Sequence, residues 1–546
     1  MNTIFLDEHR PGDIETAGSI LKNGGLVVIP TETVYGLAAD ALNAEAVAEI
    51  YKAKGRPGDN PLIVHISSLD QLPPLVAEIP ESTLRLAEAF WPGPLTMILP
   101  KSDRIPRQTS GGLDTVAIRF PAHPTAQAVI RAAGVPLAAP SANLSGKPSP
   151  TSFHHVKEDL NGRVDAIMDG GDCAVGVEST VVALTGETAR ILRPGGITRR
   201  QLEEVLGHVE IDPAVVSPLA AGQQAASPGM KYKHYSPLAD ITIIDSSPDD
   251  FIEFVNRRPD SFALCFDEDA ARLQIPFVSY GTRYDGRTQA HRLFSALHEL
   301  DERGAQTVYA RIPSKNGVGL AVYNRLVRSA GFQLLNPAGC YVLGLTGPSG
   351  SGKTTAGHVL ENLGCFVVDC DAVSHQPGVY DEDCLKELQK AFGSDMIEDG
   401  KLARKKLAQA AFSSEENRQK LNAITHPRIL ARVREIVAAA RRAGERLIVL
   451  DAPTLFESGL DRKCARILVV TAGEETRLRR IKARDGLSDE DARRRMAAQQ
   501  IPAFYLSRAD HVISGEDGSG LVKRLTPIIS GLRAKLDEES HAREDS

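Results

Sequence analysis

The chain has 546 residues, 42% hydrophobic and 24% charged, with a formal net charge of −7. A single hydrophobic core stops growing near ~250–300 residues, so this length demands about two to four domains, while the apolar fraction excludes disorder as the main state and the acidic balance argues against a dedicated nucleic-acid binder. Seven scattered cysteines with no C-x-x-C pair suggest neither a disulfide framework nor a zinc site, and no run approaches the ~18 apolar residues of a membrane span, so the expectation is a cytoplasmic protein.

From residue 1 to about 210, apolar runs GLVVIP (25–30), PLIVHI (61–66), LTMILP (95–100) and TVVALT (180–185) alternate with helical stretches such as AEAVAEIYKAK (44–54). That alternation predicts an α/β domain over 1–210. The stretch SPLAAGQQAASPGMKYKHYSP (217–237) cannot pack a core and reads as a linker over 211–238, with aromatic residues that a passive tether has no use for. Apolar runs ADITIID, SFALCF and TVYARI, set between AHRLFSALHELDERG and LAVYNRLVRSAGF, predict a small α/β domain over 239–336, bounded by NPAG (336–339). Beyond it YVLGLT, CFVVDCD (365–371), RLIVLDAP (446–453) and ARILVVT (465–471) predict an open, mostly parallel sheet within 340–535. The charged LDEESHAREDS (536–546) reads as a frayed tail.

The sharpest motif is GPSGSGKT (347–354), which fits G-x-x-x-x-G-K-[ST] between a predicted strand and a predicted helix. Glycines at 347, 350 and 352 let backbone N–H groups turn inward around phosphates, and the helix N-terminus adds its positive end. Lys353 then pairs with the β- and γ-phosphates of ATP, and the Thr354 hydroxyl takes a Mg²⁺ position. The alternative is a chance glycine-rich turn.

A phosphate loop does not choose the acceptor. The order LTGPSGSGKTT, VVDCDAV, FGSDMIEDGKLARKKLAQAAF, LNAITHPRI, LDAPTLFESGL, RRIKARDGLSDEDA and ADHVISG resembles dephospho-CoA kinases over about residues 341–530. The resemblance implies a P-loop NTPase fold with a parallel sheet, and transfer of the ATP γ-phosphoryl group to the 3′-hydroxyl of dephospho-CoA. It implies that Gly347, Gly350, Gly352, Lys353, Thr354 and Thr355 hold ATP, and that Asp371, rather than Asp369, accepts the hydroxyl proton. It sets Arg480 and Arg484 on a small lid, where guanidinium groups neutralise charge on the transferring phosphoryl. A helix N-cap remains the other reading of Asp371, and a solvated surface that of the two arginines. His375 and Ser514 depart from the family, which usually has Arg and Asn there. Another small-molecule P-loop kinase, such as one for nucleosides, is the alternative for this half.

The strings PTETVYGL (30–37), KGRPGDNPLIVHI (54–66), FWPGPLTMIL (90–99), TVAIRFPAHP (115–124), APSANLSGKPSPT (139–151), GVESTVV (176–182), ILRPGGIT (191–198), PGMKYKHYSP (228–237) and GLAVYNRL (319–326) resemble long-form, YrdC-like threonylcarbamoyl-AMP synthases over about residues 10–335. The resemblance implies a YrdC-like twisted α/β domain followed by a small Rossmann-like α/β domain. The implied reaction joins L-threonine, bicarbonate and ATP into threonylcarbamoyl-adenylate and pyrophosphate, for a transferase that modifies tRNA. Cations Lys54, Arg56, Arg119 and Arg193 suit a pentavalent phosphorus centre and departing pyrophosphate, with Lys54 and Arg56 as catalytic candidates, and the Ser141/Asn143 turn supplies short donors to phosphate oxygens. Matching positions set threonine against Thr33, His65, Arg119, Ala139 and Ser179. They set ATP against Arg56, Asn60, Thr115, Ser141, Asn143, Ser149, Arg193 and Tyr235, the last on a segment suited to be a lid. A satisfied core histidine is the other reading of His65. A non-catalytic RNA-binding module is the alternative for the domain, whereas a hydrogenase-maturation carbamoyl transferase would need zinc-finger cysteines that this chain lacks.

Overall fold

The computed structural model describes residues 2–55, 58, 60–186, 188–217, 235–398, 401–411 and 413–544. Internal contacts divide the chain into two compact units, one of Met1–Ile244 with Val255–Leu334, the other of Asp245–Phe254 with Leu335–Ser546.

In the first unit, the described residues form one mixed sheet from β1 (Ile4–Asp7), β2 (Val27–Ile29), β3 (Gly36–Asp40), β4 (Ile63–His65), β5 (Leu95–Pro100), β6 (Thr115–Arg119), β7 (Leu137–Ala138), β8 (Ala166–Asp169), β9 (Thr180–Ala183), β10 (Ala189–Arg193) and β11 (Val209–Ile211). Their order is β1-β8-β2-β3-β7-β4-β6-β5-β9-β10-β11. Central strands such as VVI at β2 are apolar at every position because both faces are covered. Val28, Leu37, Ile50 and Val64 pack in one core cluster and Val27, Ile29, Leu21 and Val129 in another. Register then does the positioning: β4 and β6 run parallel with His65 opposite Arg119. The helix Ala44–Lys54 starts where the Asn43 side chain accepts from the backbone N–H groups of Glu45 and Ala46, and it stops at Gly55 in the left-handed region (φ 63°). That stop leaves Lys54 at the helix end.

A second sheet of the same unit is built from β12 (Asp240–Ile244), β13 (Phe262–Cys265), β14 (Phe277–Ser279), β15 (Thr307–Arg311) and β16 (Leu334–Leu335), in the order β14-β13-β15-β12-β16. Pairs among β12 to β15 are parallel, as expected of strands joined through helices such as Gly286–Glu302. Ordered backbone reaches past residue 210: β11 ends at Ile211 and a 3-10 turn spans Pro213–Val215. Residues 218–234 of the linker lie outside the described residues.

The second unit holds a parallel sheet of β17 (Tyr341–Thr346), β18 (Phe366–Asp369), β21 (Leu447–Asp451), β22 (Arg466–Thr471) and β23 (His511–Ser514), ordered β18-β21-β17-β22-β23. A hairpin of β19 (Ile397–Glu398) and β20 (Lys401–Leu402) stands apart from it. The segment Asp245–Phe254 is anchored in this unit by Asp245, which accepts from Arg466 at 2.5 Å and from the Tyr341 hydroxyl at 3.1 Å. Burial alone would raise the Asp245 carboxyl, but the charges of Arg466 and Lys535 hold it below the usual range. The expectation of a tail frayed from residue 536 is corrected: the helix Leu521–Glu544 runs through it. Leu521, Leu525, Ile529, Leu532 and Leu536 make a buried stripe at helical spacing, so apolar burial carries the helix into the charged segment.

Candidate active sites

In the first unit a small cavity of about 50 Å³ collects residues from eight separate stretches of sequence. All five positions expected to meet threonine line it, namely Thr33, His65, Arg119, Ala139 and Ser179, together with Lys54, Ser141, Asn143, Arg193 and Tyr235 from the nucleotide set. Arg119 is buried and donates to the Thr33 hydroxyl at 2.9 Å while pairing with Glu32 at 2.8 Å. The charge of Arg119 outweighs the burial that would raise the Glu32 carboxyl, and holds it below its ordinary range. His65 Nδ1 faces the Ile63 carbonyl at 3.2 Å, and in the tautomer that donates there Nε2 is an acceptor. Burial, reinforced by Arg119, lowers its pKa to about 3, so the ring is neutral.

A second cluster of cations adjoins this one. Lys54 Nζ donates to the backbone carbonyls of Ser141 and of Asn143, the latter at 2.6 Å, so it lies against the turn that carries them. Arg193 donates from Nε and Nη2 to the carbonyl and hydroxyl of Ser179, each at 3.1 Å. Burial lowers the Arg193 pKa to about 10, which still leaves it charged. Tyr235 is buried with its backbone in the left-handed region (φ 64°), its ring 5.3 Å from that of Phe294, and the next residue's N–H donates to the Gly146 carbonyl at 2.8 Å. The cavity thus pairs concentrated positive charge with a neutral imidazole acceptor and a covering aromatic ring.

Three expected nucleotide contacts do not line the cavity. Asn60 is buried and its Oδ1 has no hydrogen-bond partner among the described residues. Thr115 sits half-buried at the start of β6, and Ser149 donates its hydroxyl to Glu178 at 2.7 Å. Arg56 lies outside the described residues. Sequence reasoning passed over Glu32 and Glu178, although both stand within quoted motifs as lone acids between small or apolar neighbours.

In the second unit the P-loop runs between β17 and the helix Lys353–Asn362. At Gly350 (φ 79°) a Cβ would meet the Arg477 carbonyl oxygen at 2.7 Å, so glycine is required there. Lys353 Nζ is paired with Asp451 at the end of β21, and Asp369 stands beside Asp451 in the register of β18 with β21. Asp369, not Asp371, caps the next helix by accepting from the Ala372 N–H at 3.0 Å. Asp371 is therefore free of that duty, and its pKa is raised by burial and then by Asp369 and Asp451, against Lys353. Thr354 and Thr355 follow exposed on the first helical turn. The end of β21 was missed as a candidate, though a strand that finishes on Asp is visible in LIVLDAP.

The two arginines part company. Arg480 donates to the carbonyls of Gly350, Gly515 and Glu516 at 2.8–3.1 Å, which sets it against the loop. Arg484 instead forms an exposed pair with Asp485. Arg477 takes the nearer place, donating to the Ser349 carbonyl at 3.0 Å. Beyond Asp371 opens a cavity of about 770 Å³, lined in part by His375, Arg404, Arg418, His426 and Tyr505. Arg404 binds both the ring nitrogen and the carbonyl of His375, so a guanidinium from another segment stands beside that position. The Ser514 hydroxyl at the end of β23 accepts from the Glu516 N–H at 3.4 Å.

Comparison with known proteins adds three family matches in chain order. The family described as telomere recombination matches residues 19–195, the C-terminal domain of threonylcarbamoyl-AMP synthase residues 197–331, and dephospho-CoA kinase residues 341–520. A threonylcarbamoyl-AMP synthase of Pyrococcus abyssi is 45% identical over 329 residues, 59% of this chain and 95% of that protein. A dephospho-CoA kinase of Corynebacterium jeikeium is 43% identical over 189 residues, 35% of this chain and 96% of that protein. The crystal structure of P. abyssi Sua5 complexed with L-threonine matches with a TM-score of 0.56 at 42% identity, covering 62% of this chain and 99% of that one.

Proposed function

The chain belongs to the threonylcarbamoyl-AMP synthase family and, by its C-terminal part, to the dephospho-CoA kinase family, and from that premise we propose a single enzyme with both activities. The first unit condenses L-threonine, bicarbonate and ATP to threonylcarbamoyl-adenylate with release of pyrophosphate. The second transfers the γ-phosphoryl group of ATP to the 3′-hydroxyl of dephospho-CoA.

One observation carries the synthase reading: all five expected threonine positions, Arg119 among them, meet two further cations, Lys54 and Arg193, in one cavity. Arg119 offers planar donors to the amino-acid carboxylate, and Nε2 of the neutral His65 ring accepts from the ammonium or hydroxyl. The threonine nitrogen takes up bicarbonate carbon as a carbamate with loss of water, and a carbamate oxygen then attacks the α-phosphorus while pyrophosphate departs. That nucleophile is already anionic, so positioning and charge stabilisation by Lys54 and Arg193 are the main demands. Arg56, Asn60, Thr115, Ser141, Asn143 and Ser149 complete the nucleotide set, and Tyr235 covers the cavity against water. The adenylate is consumed by a transferase that acts on tRNA.

In the kinase, Asp371 receives the 3′-hydroxyl proton, and its raised basicity suits that task. Lys353 exchanges Asp451 for the ATP phosphates, and Arg480 stands beside the loop to meet the transferring group. Asp369 and Asp451 leave negative charge in excess beside Lys353, and the Thr354 hydroxyl is an oxygen donor of the kind Mg²⁺ takes, where the ion would neutralise the β- and γ-phosphates. The cavity beyond Asp371 is large enough for a nucleotide-sized acceptor. Among the described residues no helix is long and apolar enough to cross a membrane, and seven buried cysteines, none of them in a disulfide, fit a reducing cytoplasm.

The test is a pair of assays on the purified full-length chain. Pyrophosphate release should depend on both threonine and bicarbonate, and ADP release should depend on dephospho-CoA but not on adenosine, uridine or CMP. Release indifferent to those additions would reject the corresponding half of the reading.

A further inference from the structure

The helix Gly319–Ser329 places a guanidinium where water cannot reach it: Arg325 is 0% exposed. A buried arginine needs both a counter-charge and hydrogen-bond acceptors. Arg325 finds them in residues 131 to 147 positions away in sequence. Its Nε donates to Glu178 Oε2 and its Nη1 to the Pro194 carbonyl, each at 2.8 Å, and Nη1 also meets Asn324 Oδ1 at 2.9 Å. The neighbouring polar groups of the helix hold the same region, with Asn324 donating to the Val215 carbonyl at 2.6 Å and Arg328 to that of Ala214 at 2.7 Å.

What Arg325 grips is in the cavity wall or next to it, since Glu178 itself lines the cavity. Glu178 precedes Ser179, and Pro194 follows Arg193. Those two neighbours are bonded to each other, and both line the synthase cavity, which Arg325 itself does not reach. The second oxygen of Glu178 accepts from Ser149. Burial alone would raise the Glu178 carboxyl, but Arg325 and then Arg193 hold it down to about 2. The same guanidinium lies 5.9 Å from the centre of the Tyr235 ring.

We infer that Arg325 is a positioning residue of the adenylate-forming site: through Glu178 and the Pro194 carbonyl it fixes where Ser179, Ser149 and Arg193 stand. The small α/β domain is on this account part of the catalytic machinery. The inference rests on the synthase reading of this cavity, whose own failure would show separately as absent threonine- and bicarbonate-dependent turnover in the unaltered chain.

Three variants of the full-length chain test it. In Arg325→Met, Glu178 remains buried without its main counter-charge, so its pKa rises and an acid limb appears in the synthase pH profile, activity climbing with pH. The unaltered chain shows no such limb between about pH 6 and 9, because a carboxyl with a pKa of about 2 is ionised throughout. Displacing Ser179 and Arg193 lowers synthase kcat/KM by about 10²-fold, with the larger part in kcat, while dephospho-CoA-dependent ADP release stays within about twofold. Adding Glu178→Gln to Arg325→Met removes the limb. Arg325→Lys keeps Glu178 ionised and the profile flat but cannot hold both acceptors at once, so its kcat/KM lies between the two. A folded Arg325→Met with unchanged kcat, KM and pH profile overturns the inference. Should that variant fail to fold, Arg325→Lys decides: a kcat/KM equal to that of the unaltered chain, at an unchanged melting temperature, overturns it equally.

Discussion

The two candidate sites solve the handling of ATP in opposite ways. The synthase cavity is small, about 50 Å³, and its charges are already matched: Arg119 with Glu32, Arg193 with the Ser179 oxygens, Glu178 with Arg325. The kinase site opens on about 770 Å³, and around Lys353 the carboxylates of Asp369, Asp371 and Asp451 outnumber the cation. A reaction that makes a water-sensitive mixed anhydride gains from a closed, pre-paired cradle. One that must admit a bulky acceptor gains from an open mouth.

That contrast predicts where single changes hurt most. Lys353→Ala removes the one lysine facing three carboxylates, and the kinase rate should fall about 10³–10⁵-fold, the scale of one cation acting on a transferring phosphoryl group. Synthase turnover in the same variant should stay within about twofold. Loss of both activities in a variant with normal circular dichroism would break the separation of the sites. Asp371→Asn should lower kinase kcat by about 10²–10⁴-fold with little change in ATP affinity. A near-normal kcat would move the basic role to Asp451 or Asp369, the latter already committed to its helix cap.

How much of this was legible depends on distance along the chain. The P-loop was readable because its chemistry is contiguous: phosphate binding needs neighbouring N–H groups, so residues 347–354 carry it alone. Strands such as LTMILP and YVLGLT were readable for the same local reason, and so was the α/β alternation. Short strands such as β7 and β11 were not, because their pairing comes from partners far off in sequence. At the sites, Lys54, His65 and Arg119 stood out through their motifs, but Glu178–Arg325 did not. AVYNRL reads as one turn of an ordinary amphipathic helix, and only tertiary packing reveals that its arginine is buried. Arg480 and Arg484 were both expected at the loop, and Arg480 stands there beside Arg477 while Arg484 pairs with Asp485, since spacing on a charged helix does not say which face meets the loop.

Tyr235 gives a smaller, sharper test of closure. If its ring covers the nucleotide, Tyr235→Ala should raise the synthase KM for ATP about tenfold, equivalent to ~1.4 kcal/mol of lost aromatic contact. The kinase KM for ATP should not move. An unchanged synthase KM would make Tyr235 a wall residue of the small domain, where it already packs on Phe294.

The smallest effect expected at neutral pH concerns the histidines of the first unit. Burial lowers the pKa of His65 to about 3 and those of His155 and His298 to about 4, and the last two stack with ring centres 4.0 Å apart. In the unfolded chain each titrates near ~6.5. Between those limits the unfolded state binds more protons, so stability rises with pH across the window from about 4 to 6.5 and is fully present above it. The first unit should therefore melt at nearly constant temperature from about pH 7 to 9 and lose stability steadily below pH 6, by up to about 1.4 kcal/mol per pH unit for each fully titrating imidazole. His65→Gln should flatten that acid slope by up to one proton's worth while synthase activity falls, because the uncharged amide removes the titration but not the space. An acid slope unchanged in His65→Gln would mean that the ring is already protonated in the folded chain. The acceptor role of Nε2 would then fall with it.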